Sequence, residues 1–211
     1  MEKHQQVIML LKKEYPGSKY YLNFSNPLEL LVAAILSAQV RDTVVNAATP
    51  TLFKTYKTAN DYARTDADEL LQYVKSVTFA GAKTKNIIAA CKILAEKHGG
   101  KVPQTMEELI DLPGIGRKTA NTILQNAFGI VEGVIVDTHV IRVSYRLGWT
   151  KQTNPEKIEK ELMTLFPKTE WKKLPHLMKD HGRDICKAPV PICSKCAVNK
   201  LCPKQGVKNR L

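Results

Sequence analysis

The chain has 211 residues, with 32 Lys and Arg against 20 Asp and Glu, a formal charge of +12 and a pI near 9.5. That length allows one or two domains with a sizeable core, and that charge balance favours a polyanionic partner. No segment reaches the roughly 18 apolar residues of a membrane span. The opening MEKHQQ has neither the apolar stretch of a secretory signal nor an Arg/Ser-rich transit character, so the expected location is the cytoplasm, on the nucleoid, with no membrane association.

The apolar period is helical almost throughout. Val7, Leu10 and Leu11 mark a first helix that stops at Tyr15-Pro16-Gly17. Asn26-Pro27 starts a helix through Leu30, Leu31, Ala34 and Ile35, with proline at a tolerated first position. Asp42 to Phe53 predicts another, and Thr65-Asp66 caps one over Ala67 to Val74. Lys83 to His98 is a long amphipathic helix closed by Gly99-Gly100. Thr105-x-x-Glu108 is a capping box for a short helix ending near Asp111. Arg117 to Phe128 follows. Strand candidates are few, and Val131 to Val136 is short and broken by Gly133. Helices from Asp137, from Asn154-Pro155 and over Trp171 to Arg183 complete the chain. The clearest composition break lies after Arg183, where Pro189, Pro191 and Pro203 surround a set of cysteines.

That set runs Cys186-x6-Cys193-x2-Cys196-x5-Cys202. Four thiols so close together suggest metal binding more than disulfides. On spacing alone they fit an all-thiolate zinc site or a cubane iron–sulfur cluster, and in either case a structural clasp is the expected role. Cys91 lies in the apolar stripe Ile87, Ile88, Cys91, Leu94, Ala95 and is expected to be packed core.

Leu112-Pro113-Gly114-Ile115-Gly116-Arg117-Lys118-Thr119-Ala120 joins two helices through a glycine-rich hairpin. Two glycines one residue apart permit a left-handed turn and close approach to a ligand's backbone, and the helix start beyond them presents free N–H groups. With Arg117 and Lys118 alongside, this predicts sequence-independent contact with DNA phosphates. Asp137, in Val136-Asp137-Thr138-His139-Val140, is expected to cap a helix and is equally a candidate for catalysis.

Together these residues resemble the endonuclease III family of helix–hairpin–helix DNA glycosylases, which act in base excision repair. The resemblance spans nearly the whole chain. It includes Leu36-Ser37-Ala38-Gln39, the hairpin through Asn121, Val136-Asp137-Thr138-His139, His181-Gly182-Arg183 and the four cysteines. It implies an all-α, two-lobed helix–hairpin–helix fold with a DNA-binding cleft. A helical barrel domain would cover residues 20–130, and a cluster domain residues 1–19 plus 131–211. It implies a [4Fe–4S] cluster on Cys186, Cys193, Cys196 and Cys202 rather than zinc. It also implies a monomer that meets double-stranded DNA carrying a damaged base or an abasic site.

By the same resemblance the activity is removal of oxidised pyrimidines, coupled to strand cleavage at the abasic site. Lys118 falls on the family's Schiff-base lysine and Asp137 on its catalytic aspartate. Gln39 falls on a residue that fills the gap left by an extruded nucleotide, with Arg41 close behind it. Phe79 keeps a wedge position, although Thr78-Phe79-Ala80-Gly81 stands where the family usually has Gly-Leu/Phe-Tyr. Structural alternatives are a helix cap for Gln39 and core packing for Phe79. Further DNA contacts are expected at Lys83, at Gly114, Ile115, Gly116, Arg117 and Thr119 of the hairpin, and at His139. Lys187 is the one basic residue left between Cys186 and Cys193, where the family often has two or more. Two other functions stay open: a mismatch-type glycosylase acting on uracil or thymine opposite guanine, and a non-catalytic DNA-binding cluster protein.

Overall fold

The computed structural model describes residues 2–211, and every regular element among them is helical. In chain order these are α1 (Lys3–Glu14), α2 (Pro27–Leu36), α3 (Asp42–Thr55), α4 (Ala59–Arg64), α5 (Ala67–Val74), α6 (Ala80–Lys97), α7 (Met106–Ile110) and α8 (Arg117–Ile123). A π-helical turn (Leu124–Phe128) then leads to α9 (Thr138–Arg146), α10 (Pro155–Leu165), α11 (Lys168–Trp171), α12 (Leu174–Asp184) and a 3-10 turn (Cys193–Lys195).

Local chemistry sets many of these boundaries. The Asn26 side chain accepts from Glu29 N at 2.9 Å, while Glu29 Oε2 accepts from Ser25 N at 2.7 Å, so orphan donors at the start of α2 are satisfied. Asp66 caps α5, Thr105 caps α7, and Asn154 caps α10. Such a cap is worth about 1 kcal/mol.

Contacts divide the chain into two compact units. One is Tyr21–Ile130. Its central element is α2, whose residues Leu30 to Leu36 are all buried. A helix that is apolar all round has no face to offer water, so it is enclosed, with α3, α6 and α8 packed against it. Cys91, on α6, is fully buried, and burial pushes its thiol up to about 12, as suits a packed core residue rather than a ligand.

The other unit contains residues up to Tyr20 together with Val131–Leu211. Here α12 packs on α1 and α9. Val7, Leu11, Val140, Val143, Leu177 and Met178 belong to one buried cluster, which α10 joins through Ile158 and Leu162. Each such side chain contributes roughly 1.5–3 kcal/mol when fully buried.

Four features differ from the sequence expectations. The residues 131–136 form no strand; Val134, Ile135 and Val136 are instead buried as an unpaired segment leading into Asp137. The helix expected over Trp171 to Arg183 begins only at Leu174, separate from the short α11 that ends at Trp171, because Pro175 lacks an N–H and its ring would collide with the Trp171 carbonyl of a continuous helix. The helix expected to run from Arg117 to Phe128 widens into the π turn at Leu124, and Gly129 closes it at φ +71° with Ile130 N donating to Leu124 O at 3.0 Å. Finally, α4 is an added helix. Its signal is Thr58-x-x-Asp61, a reciprocal capping box in which Asp61 Oδ2 also accepts from Lys57 N. Those backbone bonds hold the Asp61 carboxyl below its usual range.

Candidate functional site

In the Tyr21–Ile130 unit, the hairpin lies between α7 and α8. Gly114 sits at φ +81°, a backbone conformation that favours glycine, and a Cβ there would crowd the Asn86 side chain at 3.0 Å. Gly116 is different. It has an ordinary φ of −99° and open space around it, so its value is a bare approach to the backbone rather than a left-handed turn. Arg117 and Lys118 are exposed on the first turn of α8, and Thr119 is half-buried. The Ile115 side chain is buried and anchors the hairpin, so the contact expected at this residue falls to its backbone.

The Ser37–Val40 turn follows α2. Ser37 Oγ donates to Ala34 O at 2.9 Å and Val40 N to Ser37 O at 3.1 Å. Between them Gln39 is exposed at φ +57°. Phe79, the residue before α6, stands at φ +58° and is 65% exposed, so it is neither core nor a side-chain cap. Left-handed backbone at a glutamine and a phenylalanine costs about 1–3 kcal/mol each, and such strain clusters at functional sites. Arg41 is exposed at the start of α3.

Lys83 corrects the sequence reading. It is only 6% exposed, and its ammonium donates to Leu36 O at 2.8 Å and Ala38 O at 2.6 Å. A side chain so enclosed does not reach a phosphate. Burial holds this lysine below the usual range for its type.

In the other unit, Asp137 is the N-cap of α9. Its Oδ1 accepts from His139 N at 2.8 Å and Val140 N at 2.9 Å. Oδ2 lies 3.4 Å from His139 Nδ1, and the Asp137 side chain keeps 20% of its surface in solvent. One oxygen is thus engaged with the backbone while the second stays beside a titratable ring. Gly182 explains its own place in His181-Gly182-Arg183: a Cβ there would meet Arg142 Nη2 at 3.0 Å and His139 Cδ2 at 3.1 Å.

Cys186, Cys193, Cys196 and Cys202 are free thiols that line one small recess, together with Arg146 and His181. Among the described residues no group of His, Cys, Asp and Glu closes tightly enough to hold a single metal ion. Burial pushes Cys196 up to about 11, and Cys202 is raised by burial as well. Two arginines of α9, which sequence patterning did not single out, staple this segment. Arg142 donates to Cys186 O at 3.0 Å and to Gly182 O at 2.9 Å. Arg146 donates to Lys187 O at 2.8 Å and Pro189 O at 3.2 Å, and its Nη1 lies 3.4 Å from Cys186 Sγ. Lys204 N donates to Cys202 Sγ at 3.3 Å. The Lys187 side chain is exposed. No helix among the described residues is long and apolar enough to cross a membrane.

The chain is similar to known proteins over most of its length. The family model described as HhH-GPD superfamily base excision DNA repair protein matches residues 32–168. Endonuclease III of Synechocystis sp. is 48% identical over 198 residues, which cover 94% of this chain and 90% of that protein. Endonuclease III of Bacillus subtilis is 44% identical over 195 residues, covering 92% and 88%. The solved structure of a trapped endonuclease III–DNA covalent intermediate superposes with a TM-score of 0.90 at 41% identity, over 97% of each chain. A thermostable thymine-DNA glycosylase matches at a TM-score of 0.85 and 22% identity, over 96% of each chain, a likeness of fold alone.

Proposed function

We infer the function from one premise: this chain belongs to the HhH-GPD superfamily of base excision DNA repair proteins and, within it, to the endonuclease III family. It is a bifunctional DNA N-glycosylase and DNA-(apurinic or apyrimidinic site) lyase that removes oxidised pyrimidines from duplex DNA. Its partner is double-stranded DNA with a damaged base or an abasic site, which it meets as a monomer on the nucleoid.

The observation that carries the assignment of residues is the exposed Lys118 in the first turn of α8, next to a hairpin whose Gly114 holds a left-handed turn. A base inside the stack cannot be reached, so it is extruded at a cost of a few kcal/mol. The hairpin backbone with Arg117 and Thr119, and the side chains of Arg41 and Lys187, hold phosphates without reading sequence. Gln39 fills the gap, and Phe79 wedges beside it. Lys118 Nζ attacks C1′, the bond from C1′ to the base breaks, and its electron pair leaves with the base. The chemistry needs a carboxylate to take up a proton or to stabilise positive charge on the sugar, and Asp137, with His139 beside its Oδ2, is the candidate for that role. The sugar ring opens to an imine on Lys118. The imine acidifies the C2′ proton, and loss of that proton expels the 3′ phosphate and cuts the strand.

The four cysteines fit a [4Fe–4S] cluster. The four residues line a single recess, and Arg146 and the Lys204 N–H supply positive charge and a donor beside Cys186 and Cys202. Cys186, Cys193, Cys196 and Cys202 would hold the cluster, and their ligation would tie the end of the chain to α9 and α12. Anaerobically purified protein is expected to be yellow-brown, with about four irons and matching acid-labile sulfide per chain. Cys196→Ser is expected to give poorly soluble protein. Stoichiometric zinc without sulfide would reject the iron assignment.

Borohydride trapping on abasic duplex tests the function, followed by excision assays on thymine glycol, dihydrouracil, uracil·G, thymine·G and 8-oxoguanine. A covalent complex and fastest release of the oxidised pyrimidines are expected. Preference for uracil·G or thymine·G would move the assignment to the mismatch type. Binding with neither trapping nor release would leave a non-catalytic protein.

A further inference from the structure

Lys83 and the turn around Gln39 are tied together inside the Tyr21–Ile130 unit. Leu36 is the last residue of α2, and its carbonyl belongs to the negative end of that helix, where a cation is favoured. The Lys83 ammonium takes that carbonyl at 2.8 Å and the Ala38 carbonyl at 2.6 Å. It therefore grips the turn on both sides of Ser37, and its second partner immediately precedes Gln39. The same residue reaches the second left-handed position through its backbone, since Lys83 N donates to Phe79 O at 3.1 Å. One lysine thus spans two segments, each of which presents an exposed side chain from a left-handed residue.

We propose that Lys83 is a positioning residue for strand invasion: its buried ammonium locks the Ser37–Val40 turn so that Gln39 is held in its left-handed conformation before DNA arrives. Preorganisation is the physical gain. A free turn would have to be ordered at the moment the nucleotide leaves the stack, when the gap is open and the base can return. The inference rests on the reading of Gln39 as the residue that fills this gap. It assigns Lys83 no contact with DNA and no part in bond breaking.

Lys83→Met keeps the length and apolar stem of the side chain and removes its donors. It is compared with Gln39→Ala and with the double variant, on a lesion in fully paired duplex and on the same lesion opposite a one-nucleotide gap. Lys83→Met is expected to slow excision from paired duplex roughly 10- to 100-fold, the range that a small misplacement produces. On the gapped substrate, where little stacking opposes extrusion, the loss is expected to stay within about twofold. The double variant is expected to be no slower than Gln39→Ala alone. The slope of log affinity against log salt is expected to match the parent, whereas a lysine on a phosphate would flatten it by about 0.9.

A flattened slope, additive losses in the double variant, or equal slowing of both substrates with a fall in melting temperature would each overturn the inference. If Gln39→Ala is slow and Lys83→Met is not, this inference alone fails. If Gln39→Ala excises from paired duplex as fast as the parent, the gap-filling reading fails and takes this one with it. Should Lys83→Met not fold, Lys83→Gln keeps an N–H donor on a shorter arm and carries the same comparison.

Discussion

Lys118→Gln is expected to abolish borohydride trapping on abasic DNA. Glutamine matches much of the lysine's length but has no nucleophilic amine, so neither attack on C1′ nor an imine is available. Covalent product should fall to background, and strand cleavage by β-elimination with it. Binding should survive. Lys118 is exposed on the first turn of α8, and its loss removes at most one phosphate contact, which flattens the salt slope by no more than about 0.9. The side chain is outside the core, so the melting temperature should stay close to that of the parent. A variant that still traps as well as the parent would show that another amine is the nucleophile.

Asp137→Asn separates two roles that one side chain combines. Oδ1 takes two backbone N–H groups of α9, and an asparagine oxygen can take the same pair. The helix should lose only the charge–dipole part of the cap, about 0.3–1 kcal/mol. Oδ2, beside His139 Nδ1, is the oxygen that becomes an uncharged amide. Base release is therefore expected to fall roughly 10²- to 10⁴-fold, the usual worth of a positioned acid or base. Abasic-site binding should be near that of the parent. Losses of turnover that merely track losses of stability across Asp137→Asn, Asp137→Ser and Asp137→Ala would leave Asp137 as a cap and nothing more.

Much of this protein is legible in the sequence because the signals are local. Asn26-Pro27, Thr65-Asp66, Thr105-x-x-Glu108 and Asn154-Pro155 set helix starts through bonds that close within a few residues, and those helices stand where their caps predict. The burial of Cys91 follows from its stripe on one helix face. Spacing also marked the four cysteines as a group, and the structure brings them to one recess.

Long-range contacts decided the rest. Lysine in a basic chain that contacts DNA reads as a phosphate ligand, and nothing near Lys83 in sequence says otherwise. Only the packing of α6 on α2 shows that its ammonium is enclosed by the Leu36 and Ala38 carbonyls, 47 and 45 residues away. Gly182 is likewise silent until α12 meets α9, where a Cβ would crowd Arg142 and His139. Arg142 and Arg146 look like two ordinary helix charges, yet they hold a segment about 40 residues distant by its carbonyls. Local patterns report whom a residue meets within a turn of helix. They carry no information about which carbonyl, 47 residues away, will need a donor once water has been excluded.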